Sequence, residues 1–172
     1  MKSEGRSGAW GFTLRFFAYV FIVTALSRVD LYLLEGHVSR KLTETSAAAV
    51  ALGLELAGGD ARRSGSTLYF GGSAFRVIDE CTGIEVMALF GAAILAFPSP
   101  WRRRLRGLAV GLPILIALNL VRMVTLVWLG ASSARALELG HVYVWPVIVL
   151  TVALGLWLHW ARLAVEDAST AL

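Results

Sequence analysis

The chain has 172 residues, of which 57% belong to the hydrophobic set and only 16% are charged, with a formal charge of +4. Adding its 17 Gly makes it far more apolar than the roughly 45–50% of a soluble domain, so polar side chains are too few to cover a globule of this size. Disorder, collagen-like repeats and a disulfide scaffold are excluded by the apolar excess, by 4 Pro and by 1 Cys.

The composition is that of an integral membrane protein. The expected fold is all-α: about four transmembrane helices in one membrane domain over residues 1–172, with an extracytoplasmic amphipathic helix and a short β-hairpin. A first apolar run, from Gly11 to about Leu34, is interrupted by Arg15 near its start and by Arg28 and Asp30 near its end. It spans a bilayer if Arg15 snorkels and Arg28 reaches the outer interface. Lys2 and Arg6 ahead of it also suit a cleaved signal peptide, but no small-x-small site followed by a polar stretch stands near Leu26.

Residues from about 35 to 80 form an insert. Val38, Leu42, Ala49, Leu52 and Leu56 recur at roughly helical spacing among Arg40, Lys41, Glu44 and Glu55, which reads as a surface or interfacial helix. Gly58-Gly59-Asp60 and Arg62-Arg63-Ser64-Gly65 punctuate the chain. Leu68-Tyr69-Phe70 and Ala74 to Ile78 then flank Gly71-Gly72, the pattern of a β-hairpin.

A second span runs from about Cys81 to Phe97 and stops at Pro98-Ser99-Pro100. A third covers 107–130 and a fourth 142–161, each long enough for a core about 30 Å thick. Between the second and third lies Arg102-Arg103-Arg104-Leu105-Arg106, whereas the Ala131 to His141 connection carries only Arg135 and Glu138 as charges. This asymmetry places the arginine run in the cytoplasm, with both termini, and the insert outside. It also accounts for the basic balance, so no nucleic-acid partner is expected; membrane lipids are.

With this topology the distinctive residues gather at one membrane surface. Arg122 lies about 12 Å below the outer end of its helix, where a guanidinium costs at least about 2.5–3.5 kcal/mol unless it pairs or works. Asn119, three residues earlier, shares its face and is expected to hold it or line the same cavity. Cys81 opens the second span, where a helix N-terminus favours a thiolate while Asp79, Glu80 and Glu85 oppose it. Glu85, one turn below, is the expected ion-pair partner of Arg122. His141 opens the fourth span at the same level and is the one histidine placed to act as base for Cys81; His37 and His159 lie elsewhere. One Cys and three scattered His give no metal-ligand spacing, and no cofactor motif is present.

Cys81-Thr82-Gly83-Ile84, Asn119-Leu120-Val121-Arg122 and His141, in that order, resemble the signature of the exosortase and archaeosortase family over roughly Phe75 to Leu163. The resemblance implies a multi-spanning cysteine protease and transpeptidase of a prokaryotic cytoplasmic (inner) membrane, its site facing outward. It implies Cys81, Arg122 and His141 as catalytic residues, supported by Thr82, Gly83, Asn119 and Glu85. The substrate implied is an exported protein ending in a recognition motif, a transmembrane helix and a basic tail. With about four spans the chain departs from larger members and is similar to the short subfamily called exosortase H. Two readings outside this class also fit an intramembrane arginine: a small transporter or channel subunit with an Arg122–Glu85 site, and a structural membrane anchor.

Overall fold

A computed structural model describes residues 4–33 and 36–169. Lys2, and the side chains of Arg6 and Arg28 invoked above, lie outside what it describes. The order of elements is α1 (Glu4–Leu33), α2 (His37–Leu56), β1 (Arg62–Ser64), β2 (Thr67–Phe70), β3 (Ser73–Arg76), α3 (Ile84–Ala96), α4 (Trp101–Ser132), α5 (Ala134–Leu139) and α6 (Trp145–Ser169). A 3₁₀ turn at Asp79–Cys81 leads into α3, and a π-turn at Gly140–Val144 joins α5 to α6.

Among the described residues two helical runs are long and apolar enough to cross a membrane: Trp101–Ser132, and Ala134–Glu166, which is continuous through the π-turn. At 1.5 Å per residue the 32 residues of α4 extend about 48 Å. The apolar helices Trp10–Leu26 and Ile84–Ala96 are shorter. Arg15 is exposed on α1, and its guanidinium reaches back one turn to within 3.6 Å of where a Cβ on Gly11 would sit, which is the direction snorkelling requires.

The expected hairpin is a three-stranded antiparallel meander, β1-β2-β3. Gly71 and Gly72, with φ of +58° and +78°, make the tight turn that pairs Phe70 with Ser73. The first strand escaped the sequence reading because every residue of Arg62–Ser64 is exposed, so no apolar alternation marks it. A second two-residue turn at Gly65-Ser66, φ +59° at the glycine, sets Ser64 opposite Thr67.

Helix α2 exists where expected but buries a different face. Thr43, Ala47, Val50, Ala51 and Leu54 are buried, whereas Val38, Leu42, Leu52 and Leu56 are exposed. The buried stripe is mostly small because α2 lies close on α4: a Cβ on Gly53 would stand 2.8 Å from the Val124 side chain. The entry to α2 is fixed by Asp30 at the end of α1. Its carboxylate accepts from the Val38 and Ser39 backbone N–H groups at 3.1 and 3.0 Å and from the Ser39 hydroxyl at 3.0 Å. Two orphan donors of the first turn are thereby satisfied.

Two apolar clusters run along α4. One joins α2, the sheet and the Ser132 half of α4 through Val50, Leu54, Leu68, Phe70, Met123 and Val127. The other joins α3, α4 and α6 through Phe90, Ile94 and Leu115. At the arginine-rich end, the Arg103 guanidinium donates to the Ala164 carbonyl at 3.0 Å and the Trp160 indole N–H to the Arg103 carbonyl at 3.2 Å, tying α4 to α6. The buried polar residues Thr82 and Asn119 come together between the two clusters, with Arg122 one turn further along α4.

Candidate active site

The site is assembled at the joint between the sheet and α3. From Val77 the chain turns down through Asp79–Cys81, with the Cys81 N–H donating to the Ile78 carbonyl at 2.9 Å and the Thr82 N–H to the Asp79 carbonyl at 3.0 Å. The buried Thr82 hydroxyl donates to the same Asp79 carbonyl at 2.6 Å, tightening the turn. Cys81 therefore precedes α3 instead of opening it; the helix begins at Ile84, after Gly83 in the left-handed region at φ +72°.

Only glycine suits position 83, on two grounds. The positive φ is strained for any residue with a Cβ. Such a Cβ would also stand 2.8 Å from the Asn119 Cγ and 2.9 Å from its Oδ1. This close approach lets the Asn119 amide Nδ2 donate to the Cys81 carbonyl at 2.9 Å, across 38 residues of chain. Asn119 thus holds Cys81, where the sequence had it holding Arg122 or lining a cavity with it.

Cys81 is half-buried, and it borders a cavity of about 470 Å³ that His141 also lines. His141 sits inside the π-turn and not at a helix start. Its neighbour Gly140 allows that turn to lie against α4, since a Cβ there would stand 3.1 Å from Leu126 and 3.3 Å from Leu129. The connection from Ala131 to His141 is consequently helical, not a loop. Single π-turns within helices are frequent at functional sites, where the added residue re-aims a side chain.

Arg122 is buried, one turn beyond Asn119, and stands outside the cavity wall. Among the described residues its Nε has no hydrogen-bond partner, and neither has the Asn119 Oδ1. The expected ion pair with Glu85 is not formed: Glu85 is exposed on the first turn of α3, and no contact joins the two among the described residues. Thr82 and Gly83 are taken up by the turn, so α3 starts only at Ile84 and Glu85 falls in its first turn. Among the described residues, no three His, Cys, Asp or Glu side chains converge as a metal site.

Sequence reasoning missed the cavity's walls. Most are aliphatic, from β3, α4 and α5, with Arg76 and Glu138 as the added charges. No local signal marks these two, which are ordinary exposed charges until the fold brings β3 opposite α5.

Known proteins can now be set beside this geometry. The chain is 48% identical over 46 residues to Archaeosortase A of Haloferax volcanii, a stretch that is 27% of this chain and 15% of the relative. It is 45% identical over 53 residues to Archaeosortase A of Natronomonas pharaonis, 31% of this chain and 17% of that relative. The matches thus span less than a fifth of the length of these curated relatives. No solved structure matches. The model of the transmembrane exosortase family matches residues 5–157, nearly the whole chain, and the protein belongs to that family.

Proposed function

We propose that this protein is a membrane-embedded cysteine protease or transpeptidase that cleaves the C-terminal sorting signal of exported proteins through a thioester on Cys81. The observation that carries this reading is the placement of Cys81 and His141 on one cavity, with Cys81 anchored by Asn119. In the proposed topology four helices cross the cytoplasmic membrane of a prokaryote and this cavity opens on the outer side, where exported chains arrive.

The steps follow from the residue types. His141 takes the thiol proton, and the sulfur adds to the scissile peptide carbonyl, whose π pair moves to oxygen. The family signature assigns Arg122 to that oxyanion, and its buried Nε has no partner among the described residues; because it stands outside the cavity wall, its guanidinium must turn toward Cys81 as charge develops. Collapse expels the amine, which takes its proton from the histidine, and leaves a thioester. Water or an acceptor amine then adds to the thioester, and the thiolate departs. The transporter and anchor readings require none of this.

The test is the ratio of full-length to processed substrate in membranes carrying Cys81→Ala at matched abundance. Loss of processing with normal membrane insertion is expected, because alanine removes the covalent route while costing little packing at a half-buried position. Normal processing would end the cysteine-protease reading.

A further inference from the structure

The cavity beside Cys81 has one wall that nucleophilic chemistry does not call for: the edge of a β-sheet. Among the described residues β3 is the last strand and pairs only with β2. The direction in which its backbone groups point follows from one hydrogen bond. The Val77 N–H donates to the Ser66 carbonyl at 2.9 Å, continuing the register that sets Thr67 opposite Arg76. Bonded and non-bonded pairs alternate along an antiparallel ladder, so Ser73 and Phe75 also turn their N–H and C=O toward β2. Ala74 and Arg76 turn theirs the other way, to the open edge.

Five successive residues, Ala74 to Ile78, border the cavity. Side chains alternate between the two faces of a strand, so a space that meets all five wraps the strand's edge, and by way of Leu68 of β2 and Val50 of α2 it continues under the core face of the sheet. It therefore meets the unpaired N–H and C=O of Ala74 and Arg76. An aliphatic floor from α4, residues of α5 with His141, and Cys81 complete the lining. Ala74 and Arg76 are exposed, so water serves these groups while the edge is free, and an open strand edge is a template for another chain. A lipid acyl chain supplies no hydrogen-bonding group. A peptide main chain supplies donor and acceptor at the same two-residue repeat, and about 470 Å³ lies within the range of ligand sites.

We infer that the substrate polypeptide binds as an added strand on the free edge of β3, its main chain bonded to the N–H and C=O of Ala74 and Arg76. Main-chain bonds supply affinity, and the aliphatic floor selects apolar side chains at alternate positions. This inference rests on Cys81 acting on a peptide carbonyl, and it deepens that reading by giving the substrate its bound conformation.

The test uses the full-length ¹⁵N-labelled protein in detergent and the probe acetyl-Leu-Leu-Leu-aldehyde. The thiol adds to the aldehyde: a C–S bond forms, the π pair goes to oxygen, oxygen takes the thiol proton, and nothing leaves. Butanal, which carries the electrophile without amides, is the reference. The peptide aldehyde is expected to occupy Cys81 at a concentration about tenfold or more below butanal, and methylating its internal leucine nitrogens is expected to remove that advantage. Amide exchange at Ala74 and Arg76 is expected to slow about tenfold or more on saturation, while Phe75 and Val77, already paired, change little. Adducts from both aldehydes with no peptide advantage and no protection at Ala74 and Arg76 would overturn strand addition and leave the nucleophile standing. Failure of both aldehydes to add would overturn the nucleophile, and with it the strand addition built on it.

Discussion

Replacing Gly83 by alanine perturbs the site without touching any residue assigned to the chemistry. The residue holds φ at +72°, which costs an L-amino acid about 1–2 kcal/mol. Its new Cβ would stand 2.8 Å from the Asn119 Cγ, so Asn119 must shift and its 2.9 Å bond to the Cys81 carbonyl is lost or stretched. A hydrogen bond of this kind contributes about 0.5–1.5 kcal/mol net. Together the two effects come to about 2–3 kcal/mol. If they fall on the geometry of Cys81, they correspond to roughly 30- to 150-fold in rate at about 1.4 kcal/mol per factor of ten. The assay is the processed fraction of substrate over time at matched protein abundance, with alkylation of Cys81 by a small thiol reagent as a check that the site is folded. Asn119→Ala alone loses the bond, and in that background Gly83→Ala retains only the backbone strain. The two substitutions are therefore expected to be less than additive. Wild-type processing by Gly83→Ala, or strict additivity with Asn119→Ala, would refute the idea that this contact positions Cys81.

Three further predictions concern other parts of the molecule. Arg122→Lys is expected to lose most processing although charge is kept, because an ammonium lacks the planar fork that can hold an oxyanion and a second partner; near wild-type turnover in a folded variant would reduce Arg122 to a charge anchor. In a Cys81→Ala background, a membrane-impermeant thiol reagent applied from outside is expected to label Tyr69→Cys and spare Trp101→Cys, both exposed positions, and the reverse pattern would invert the topology. Asp30→Ala leaves the first-turn N–H groups of Val38 and Ser39 without their acceptor and is expected to cost about 0.5–2 kcal/mol, read as a lowered thermal midpoint. An unchanged midpoint would contradict that role of the carboxylate.

Composition alone determined the membrane class, because polar side chains are too few to cover a soluble surface whatever the fold. Local chemistry determined the breaks: Pro98 and Pro100 end α3, and Gly71-Gly72 turns the chain because both residues need positive φ. Cys81, Asn119 and His141 were legible as candidates because polar groups beside long apolar runs are conspicuous. What the tertiary structure decided was who faces whom. On α2 the large apolar residues Leu52 and Leu56 point outward and the small ones pack, since close approach to α4 rewards Ala47 and Gly53. Asn119 faces Cys81, and Glu85 misses Arg122, because the turn through Thr82 and Gly83 sets the phase of α3, and a helical phase cannot be read from spacing on a neighbouring helix. The strand Arg62–Ser64 carries no apolar pattern at all; it exists through backbone bonds to β2, and backbone bonds leave no trace in side-chain order.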